Sequence, residues 1–248
     1  TWTAIEAKQY TIQVARENSR QEGEGTPVPG SPFGAAIVAG DTSVFGSISS
    51  GQGRFQGVAG VPERINIDTA DLYGNVKTYG GDIFPWELTR VENGMEYKIE
   101  GIADDNGDGS YQFTYIATTA STYTLNVKLI AQLYPAPGEF IVDSPWFNVK
   151  IYPAPAAAAN CVASGENVYL AVSGYASTYW IKAYDMYDNA RTEGGDQFTV
   201  TLSGPMEVPD CRQSPGTAPD CVNVLDMSFG EYIVAYTADI SGAYNMSV

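Results

Sequence analysis

The stretch Ile65 to Asp82, INIDTADLYGNVKTYGGD, is matched at an offset of 114 by the stretch that contains Trp180 to Asp196, WIKAYDMYDNARTEGGD. Asp71, Tyr73, Asn75, Thr78, Gly80, Gly81 and Asp82 each meet an identical residue there: Asp185, Tyr187, Asn189, Thr192, Gly194, Gly195 and Asp196. The alternation Ile65, Ile67, Thr69 reads as a half-buried strand, and the Gly/Asn/Thr/Asp cluster behind it as a reversal. A period of this length means one supersecondary unit used more than once, and it governs every later assignment.

The rest of the period is readable. Tyr10-Thr11-Ile12-Gln13-Val14 matches Tyr123-Thr124-Leu125-Asn126-Val127 at offset 113, and Gly30-Ser31-Pro32-Phe33 matches Asp143-Ser144-Pro145-Trp146 at the same offset. Between them, Glu17 to Pro29 reads as an acidic, solvated loop. Cys161-Val-Ala-Ser-Gly165 aligns on Ser47-Ile-Ser-Ser-Gly51. Further on, Gly230, Tyr232, Tyr236, Tyr244 and Val248 match Gly109, Tyr111, Tyr115, Tyr123 and Val127 at offset 121, so seven extra residues lie between Leu202 and Gly230. The expected division is therefore residues 1–40 as the end of one repeat, 41–155 as a complete repeat, and 156–248 as the start of another, with the extra residues in a Cys-bearing loop. The run Tyr152 to Ala159, YPAPAAAA, reads as an extended, semi-rigid linker.

Within 41–155, strands are expected at Arg64–Leu72, Ile83–Val91, Glu96–Ile102, Ser110–Ala117, Thr122–Ala131 and Pro145–Tyr152, after an opening segment Thr42–Ser50. Seven short strands in about 110 residues is the arithmetic of an immunoglobulin-like sandwich. Its core face should include Ile65, Ile67, Phe84, Trp86, Leu88, Ile99, Tyr111, Phe113, Tyr115, Tyr123, Leu125 and Val127.

The 248 residues leave room for roughly two cores. A net charge of −16, from 13 Lys+Arg against 29 Asp+Glu, argues against nucleic acid and anionic membrane surfaces, which need clustered Lys/Arg. No apolar run approaches the ~18 residues of a membrane span, and no signal peptide stands at Thr1. The missing initiator Met marks Thr1 as the start of a mature protein or of a fragment. With no histidine in the chain, Ser-His-Asp and Cys-His machinery is excluded, as are most zinc sites. No residue is assigned to catalysis, and no cofactor is implied.

Asp71-x-Tyr73-Gly-Asn75…Thr78-x-Gly80-Gly-Asp82, Asp105-Asn-Gly-Asp-Gly109…Tyr111, Tyr123-x-Leu-x-Val127 and Ser144-Pro-Trp-Phe-x-Val-x-Ile151, in that order, resemble the filamin repeat. The second copy departs from the pattern in its Cys insertion and in Phe229 and Glu231. The resemblance implies an all-β fold of tandem immunoglobulin-like (filamin-type) seven-stranded β-sandwiches, terminal repeats incomplete. It also implies a spacer and docking module whose partner peptides add as an extra strand. An exposed sheet edge offers unpaired N–H and C=O groups, so the mode is physically sound. Carried across, the partner edge is Ile83–Val91 with Glu96–Ile102 in the first copy, with Ile83, Phe84, Trp86 and Leu88 as its named residues, and Gln197–Ser203 in the second, with Gln197, Thr199 and Thr201. Edges that are merely solvated or bulged are the alternative.

Several residues carry sharper signals. Cys211 and Cys221 sit ten apart in a Pro/Ser/Gly/Thr loop. A disulfide there would contribute roughly 2–3 kcal/mol in the chain-entropy model and indicate an oxidising compartment. Two free thiols in a cytosolic loop are the alternative. Cys161, the odd one, reads as a small, buried residue rather than as an intermolecular bridge. Asn245-Met-Ser247 is an N-glycosylation sequon, and strand alternation points Asn245 outward, opposite Tyr244, Met246 and Val248. Asp104, Asn106 and Asp108 fit the first half of a calcium loop, but Tyr115 stands where its bidentate Glu belongs and strands flank it, so a tight turn is the better reading. Gly51-Gln-Gly53-Arg-Phe-Gln-Gly57 lacks the spacing and the βαβ context of a dinucleotide site.

These readings converge on a non-catalytic structural or adhesive section of a longer repeat protein, an extracellular or cell-surface fibre or adhesin. The expected partners are proteins, bound by strand addition or head-to-tail self-association, and neighbouring repeats of the same protein. An intracellular cytoskeletal or ciliary scaffold is the first alternative, and a carbohydrate-binding accessory module the second.

Overall fold

The computed structural model describes residues 3–16, 25–130, 140–141, 147–211 and 221–248. In chain order the described strands are β1 (Gln9–Ile12), β2 (Ala15–Arg16), β3 (Thr26–Pro27), β4 (Phe33–Ala36), β5 (Ile48–Ser50), β6 (Gln56–Val58), β7 (Glu63–Asp68), β8 (Pro85–Glu92), β9 (Met95–Ile102) and β10 (Asp104–Asp105). They continue as β11 (Ser110–Tyr115), β12 (Thr122–Leu129), β13 (Phe140–Ile141), β14 (Phe147–Tyr152), β15 (Val162–Ser164), β16 (Ser177–Lys182), β17 (Thr201–Ser203), β18 (Asn223–Asp226), β19 (Glu231–Tyr236) and β20 (Asn245–Ser247). Parts of the loop Glu17–Pro29, of the strand expected at Pro145–Tyr152 with its Ser144–Ile151 motif, and of the Cys-bearing insertion lie outside the described residues.

The chain divides into two compact units. One holds Thr1–Phe55, Glu63–Tyr115 and Tyr123–Val149, the other Gln56–Pro62, Ile116–Thr122 and Lys150–Val248. In the first, β5, β7, β11 and β10 form one sheet in the order β10-β11-β7-β5, and β8 lies between β12 and β9 in another. Side chains meet between these layers. Phe84 packs on Tyr111 with ring centroids 4.7 Å apart, and Trp86 stacks on Phe113 at 4.8 Å. Ile65, Ile67, Phe84, Leu88 and Tyr111 are wholly removed from solvent. Each such side chain contributes roughly 1.5–3 kcal/mol of burial. Of the expected core face, Ile99 alone is only half-buried, because β9 is the outermost strand of its sheet among the described residues.

In the second unit the order is β15-β16-β19-β18, with β17 and β20 paired separately, and Lys150 to Tyr152 of β14 run parallel to β6. Its core gathers Tyr179, Ile181, Val200, Leu202, Val208, Val222, Tyr232 and Val234. The sheet β15-β16-β19-β18 repeats β5-β7-β11-β10 strand for strand, at offset 114 before the insertion and 121 after it. The 3-10 turn Gln52–Arg54 likewise recurs as Glu166–Val168. In the N-terminal segment, β1 and β4 pair antiparallel, at positions that align with β12 and β14.

Candidate functional site

Where β7 and β16 end, the chain reverses around a buried aspartate. Asp71 Oδ1 accepts the Tyr73 and Asn75 amides at 2.9 and 3.0 Å, and its Oδ2 accepts the Gly40 amide at 2.9 Å and Asn75 Nδ2 at 2.8 Å. Asp185 does the same. Its Oδ1 accepts from Tyr187 and Asn189 at 2.8 and 2.9 Å, and its Oδ2 from Ala154 N and Asn189 Nδ2, both at 2.8 Å. Burial pushes the Asp71 carboxyl up, but the four donors pull it further down and leave it below the ordinary carboxylate range. Asp185 behaves alike, its burial outweighed by Asn189, Ala154 and Tyr187. The carboxylate is thus the nucleus of the turn, which explains why Asp and Asn recur there.

Each asparagine then reaches outward with both ends of its amide. Asn75 Oδ1 accepts the Ala7 amide and its Nδ2 donates to the Ile5 carbonyl, both at 2.7 Å. Asn189 Oδ1 accepts the Ala120 amide and its Nδ2 donates to the Thr118 carbonyl, both at 2.8 Å. Ile5 and Ala7 align with Thr118 and Ala120 at offset 113. Each amide therefore reads the backbone of residues i and i+2 of an aligned segment, as a ladder residue would. Both members of each pair lie in the same unit.

A second layer of bonds holds the turn. Lys77 Nζ meets Asp82 Oδ2 at 2.9 Å, and Arg191 Nε meets Asp196 Oδ2 at 3.1 Å. The amides of Asp82 and Asp196 donate to the hydroxyls of Tyr111 and Tyr232, both at 2.9 Å. Burial, joined by the charges of Asp82 and Asp105, pushes the Tyr111 phenol up to about 12. Burial, with Asp196 and Asp226 beside it, does the same to Tyr232, also to about 12. Asp105 Oδ2 accepts from Gly81 N and Asp226 Oδ2 from Gly195 N, each at 2.7 Å. In the stretch expected to be a linker, Pro153 and Ala154 are buried, and their carbonyls accept from Arg191 Nη1. Pro153 and Ala154 are thus pinned, while Pro155, Ala158 and Ala159 are exposed.

Of the two strands in the first half of the expected partner edge, Ile83–Val91 is covered and Glu96–Ile102 lies outermost. Phe84, Trp86 and Leu88 are buried, and β8 is paired on both sides, with β12 and with β9. The cause is the reversal at Asn93 and Gly94, with φ of 51° and 78°, a two-residue hairpin turn that folds β9 onto β8. Ile83 pairs with Ile130 beyond that strand's end. On the β8 side, the outermost strand of the sheet among the described residues is β9. In the second half, Gln197 and Thr199 are exposed, and Thr201 pairs with Ser247 in β17–β20. The same stretch is partly capped from within, since Leu202 and Val208 exchange backbone bonds and Val200 N donates to Asp210 Oδ2.

Cys211 and Cys221 form a disulfide, with Cα atoms 5.0 Å apart. Cys161 is a free thiol, half-buried against the Ala157 carbonyl. Asn245 is exposed while Tyr244 and Met246 are half-buried. At the calcium-like run, Asp108 Oδ1 accepts from Ser110 N and Oγ, and Asn106 Nδ2 donates to Ser110 Oγ, so these groups close the turn. Asp104 is exposed in β10 and pairs with Gln112. No group of three or more His, Cys, Asp or Glu able to hold a metal occurs among the described residues. No helix among them is long and apolar enough to cross a membrane.

Residues 41–145 match the Filamin/ABP280 repeat family model. Over 105 residues the chain is 36% identical to Filamin-C of Rattus norvegicus and to Filamin-C of Mus musculus, 42% of this chain and 3% of each relative. The chain therefore spans a small part of the curated relatives it matches. Among solved structures it is similar to invasin, a bacterial integrin-binding protein, with a TM-score of 0.49 at 15% identity over 91% of this chain and 40% of that one. It is also similar to Yersinia pseudotuberculosis InvD, at 0.41 and 14%, over 90% of this chain and 58% of that one. Residues 41–145 carry a filamin-type repeat.

Proposed function

We propose that this chain is a non-catalytic, structural or adhesive section of a longer array of filamin-type repeats, divided as 1–40, 41–155 and 156–248. It sets a spacing and offers sheet edges to protein partners. The observation that carries the reading is the turn built twice around Asp71 and Asp185, whose asparagines bind an aligned backbone segment each time. A reacting centre would need convergent, unsatisfied polar groups. Here the buried carboxylates are consumed in holding the fold.

Strand addition in this reading uses β9, whose outward Glu96, Lys98 and Glu100 alternate along the open edge. A peptide adding there would pair with the backbone of Met95 to Ile102.

The compartment we assign is extracellular or cell-surface. The Cys211–Cys221 bridge supports it, because cytosolic thiols are kept reduced, and so does the outward position of Asn245. The intracellular scaffold reading rests on the filamin resemblance instead. Peptide mass spectrometry of the protein from its source, without reduction, separates the two. A bridged Cys211–Cys221 with glycan on Asn245 upholds the extracellular assignment, and free thiols with bare Asn245 overturn it. Intact mass tests the array, because a source protein near 26.6 kDa would leave no room for further repeats.

A further inference from the structure

The backbone segment read by Asn75 and Asn189 occurs a third time. Asp239, Ile240 and Ser241 align with Thr118, Thr119 and Ala120 at offset 121. The local frame is the same. Gly60 N donates to the Ala117 carbonyl at 2.8 Å, and Gly174 N donates to the Ala238 carbonyl at 3.0 Å, both glycines at φ 77°. Tyr10 Oη donates to the Glu6 carbonyl and Tyr244 Oη to the Ile240 carbonyl, a tie that shapes the first and third segments alike.

What differs is occupancy. A side-chain carbon on Gly60 would lie 2.0 Å from the Tyr187 hydroxyl, so Tyr187 fills that space, and Asn189 takes the Thr118 carbonyl and Ala120 amide beside it. Around Gly174 nothing stands within 4 Å of the same position, and Ile240 is half-exposed. No acceptor for the Ser241 amide occurs among the described residues. The Asp239 carbonyl accepts from Ser173 Oγ, and its second lone pair stays available.

We propose that Gly174 together with the backbone of Asp239 to Ser241 is a docking site for an Asp-x-Tyr-x-Asn turn of another filamin-type repeat. The tyrosine would lie on Gly174, and the asparagine amide would bridge the Asp239 carbonyl and the Ser241 N–H. The occupant follows from the two segments already filled, each holding an asparagine of that turn. The contact is heterologous, since one repeat gives the turn and the other gives the segment, so it propagates head to tail. It deepens the array reading and rests on it.

The register for a test is internal to the sequence. Val248 aligns with Val127, so a second copy of residues 128–248 joined after Val248 continues the pattern and delivers a turn to the open site. Amide hydrogen exchange is measured residue by residue in the parent and in the extended chain. Ser241 should exchange at least about tenfold more slowly in the extended chain. Asn189→Ala, made in the added copy only, should return Ser241 to its parent rate. An unchanged Ser241, with the added copy's own Val234 amide protected, would overturn the proposal. If that Val234 amide is unprotected, the parent chain decides. There Asn189→Ala must let Ala120 exchange as freely as Ser241, and an Ala120 that stays protected overturns the proposal. A source protein of 26.6 kDa would remove the array while leaving these exchange results standing.

Discussion

Tyr187 occupies the space that a side chain on Gly60 would need, its hydroxyl 2.0 Å from where that carbon would sit. Gly174 has the same φ of 77° and open space around it. The two glycines separate backbone strain from packing. Gly174→Ala should cost about 1–2 kcal/mol, the penalty of a left-handed alanine. Gly60→Ala should cost that and a further 1–3 kcal/mol or so, from overpacking against the ring. Urea unfolding of both variants measures the gap, and equal losses would mean Tyr187 moves aside freely.

The asparagine amide is predicted to be irreplaceable by its acid. Asn189→Ala should destabilise by about 1–3 kcal/mol, since it leaves the Ala120 amide and Thr118 carbonyl without their partner. Asn189→Asp should cost more. It keeps the acceptor for Ala120 but sets a second carboxylate against Asp185 and removes the donor that Asp185 uses. Thermal unfolding of the pair checks the order, and a milder Asp variant contradicts this account.

Stability should fall at both pH extremes, for different residues. The Asp71 and Asp185 carboxyls sit below their ordinary range in the folded state. Their contribution is therefore complete above the unfolded value of roughly 4 and is lost as pH drops through the folded values. The Tyr111 and Tyr232 phenols are raised to about 12, so theirs is complete below the unfolded value of roughly 10 and is lost as pH climbs from there toward 12. Unfolding free energy followed from pH 2 to 12 gives both limbs. Tyr111→Phe should make the alkaline limb shallower, with Tyr232 still contributing, and leave the acid one.

Reducing the Cys211–Cys221 bridge should lower stability by roughly 2–3 kcal/mol, the loop-closure value for a separation of ten. Unfolding with and without reductant measures it. Because Asp210 beside the bridge takes the Val200 amide, exchange at Val200 should speed up more than exchange at Ile65.

The repeat itself made most of the fold readable. Offsets of 113, 114 and 121 located β5, β7, β11 and β12 from β15, β16, β19 and β20, and alternation put Ile65, Ile67, Tyr111 and Phe113 inside. Alternation says which face is buried and nothing about which strand lies outermost, so it does not separate β8 from β9 within the expected partner edge. Asn93-Gly94 carried that information, since this dipeptide between two strand patterns demands a tight hairpin and hence a strand laid on β8. Asp71 and Asn75 were visible as recurring letters, but their role was not. A side chain that bonds backbone 70 residues away leaves no periodic trace in its own neighbourhood.

Asn75 and Asn189 grip only main-chain atoms of Ile5, Ala7, Thr118 and Ala120. Every residue but proline presents those atoms, so the gripped segments are free to differ, as Ile5-Glu6 already differs from Thr118-Thr119. Selection can rewrite one half of such a joint indefinitely, provided the other half keeps its amide.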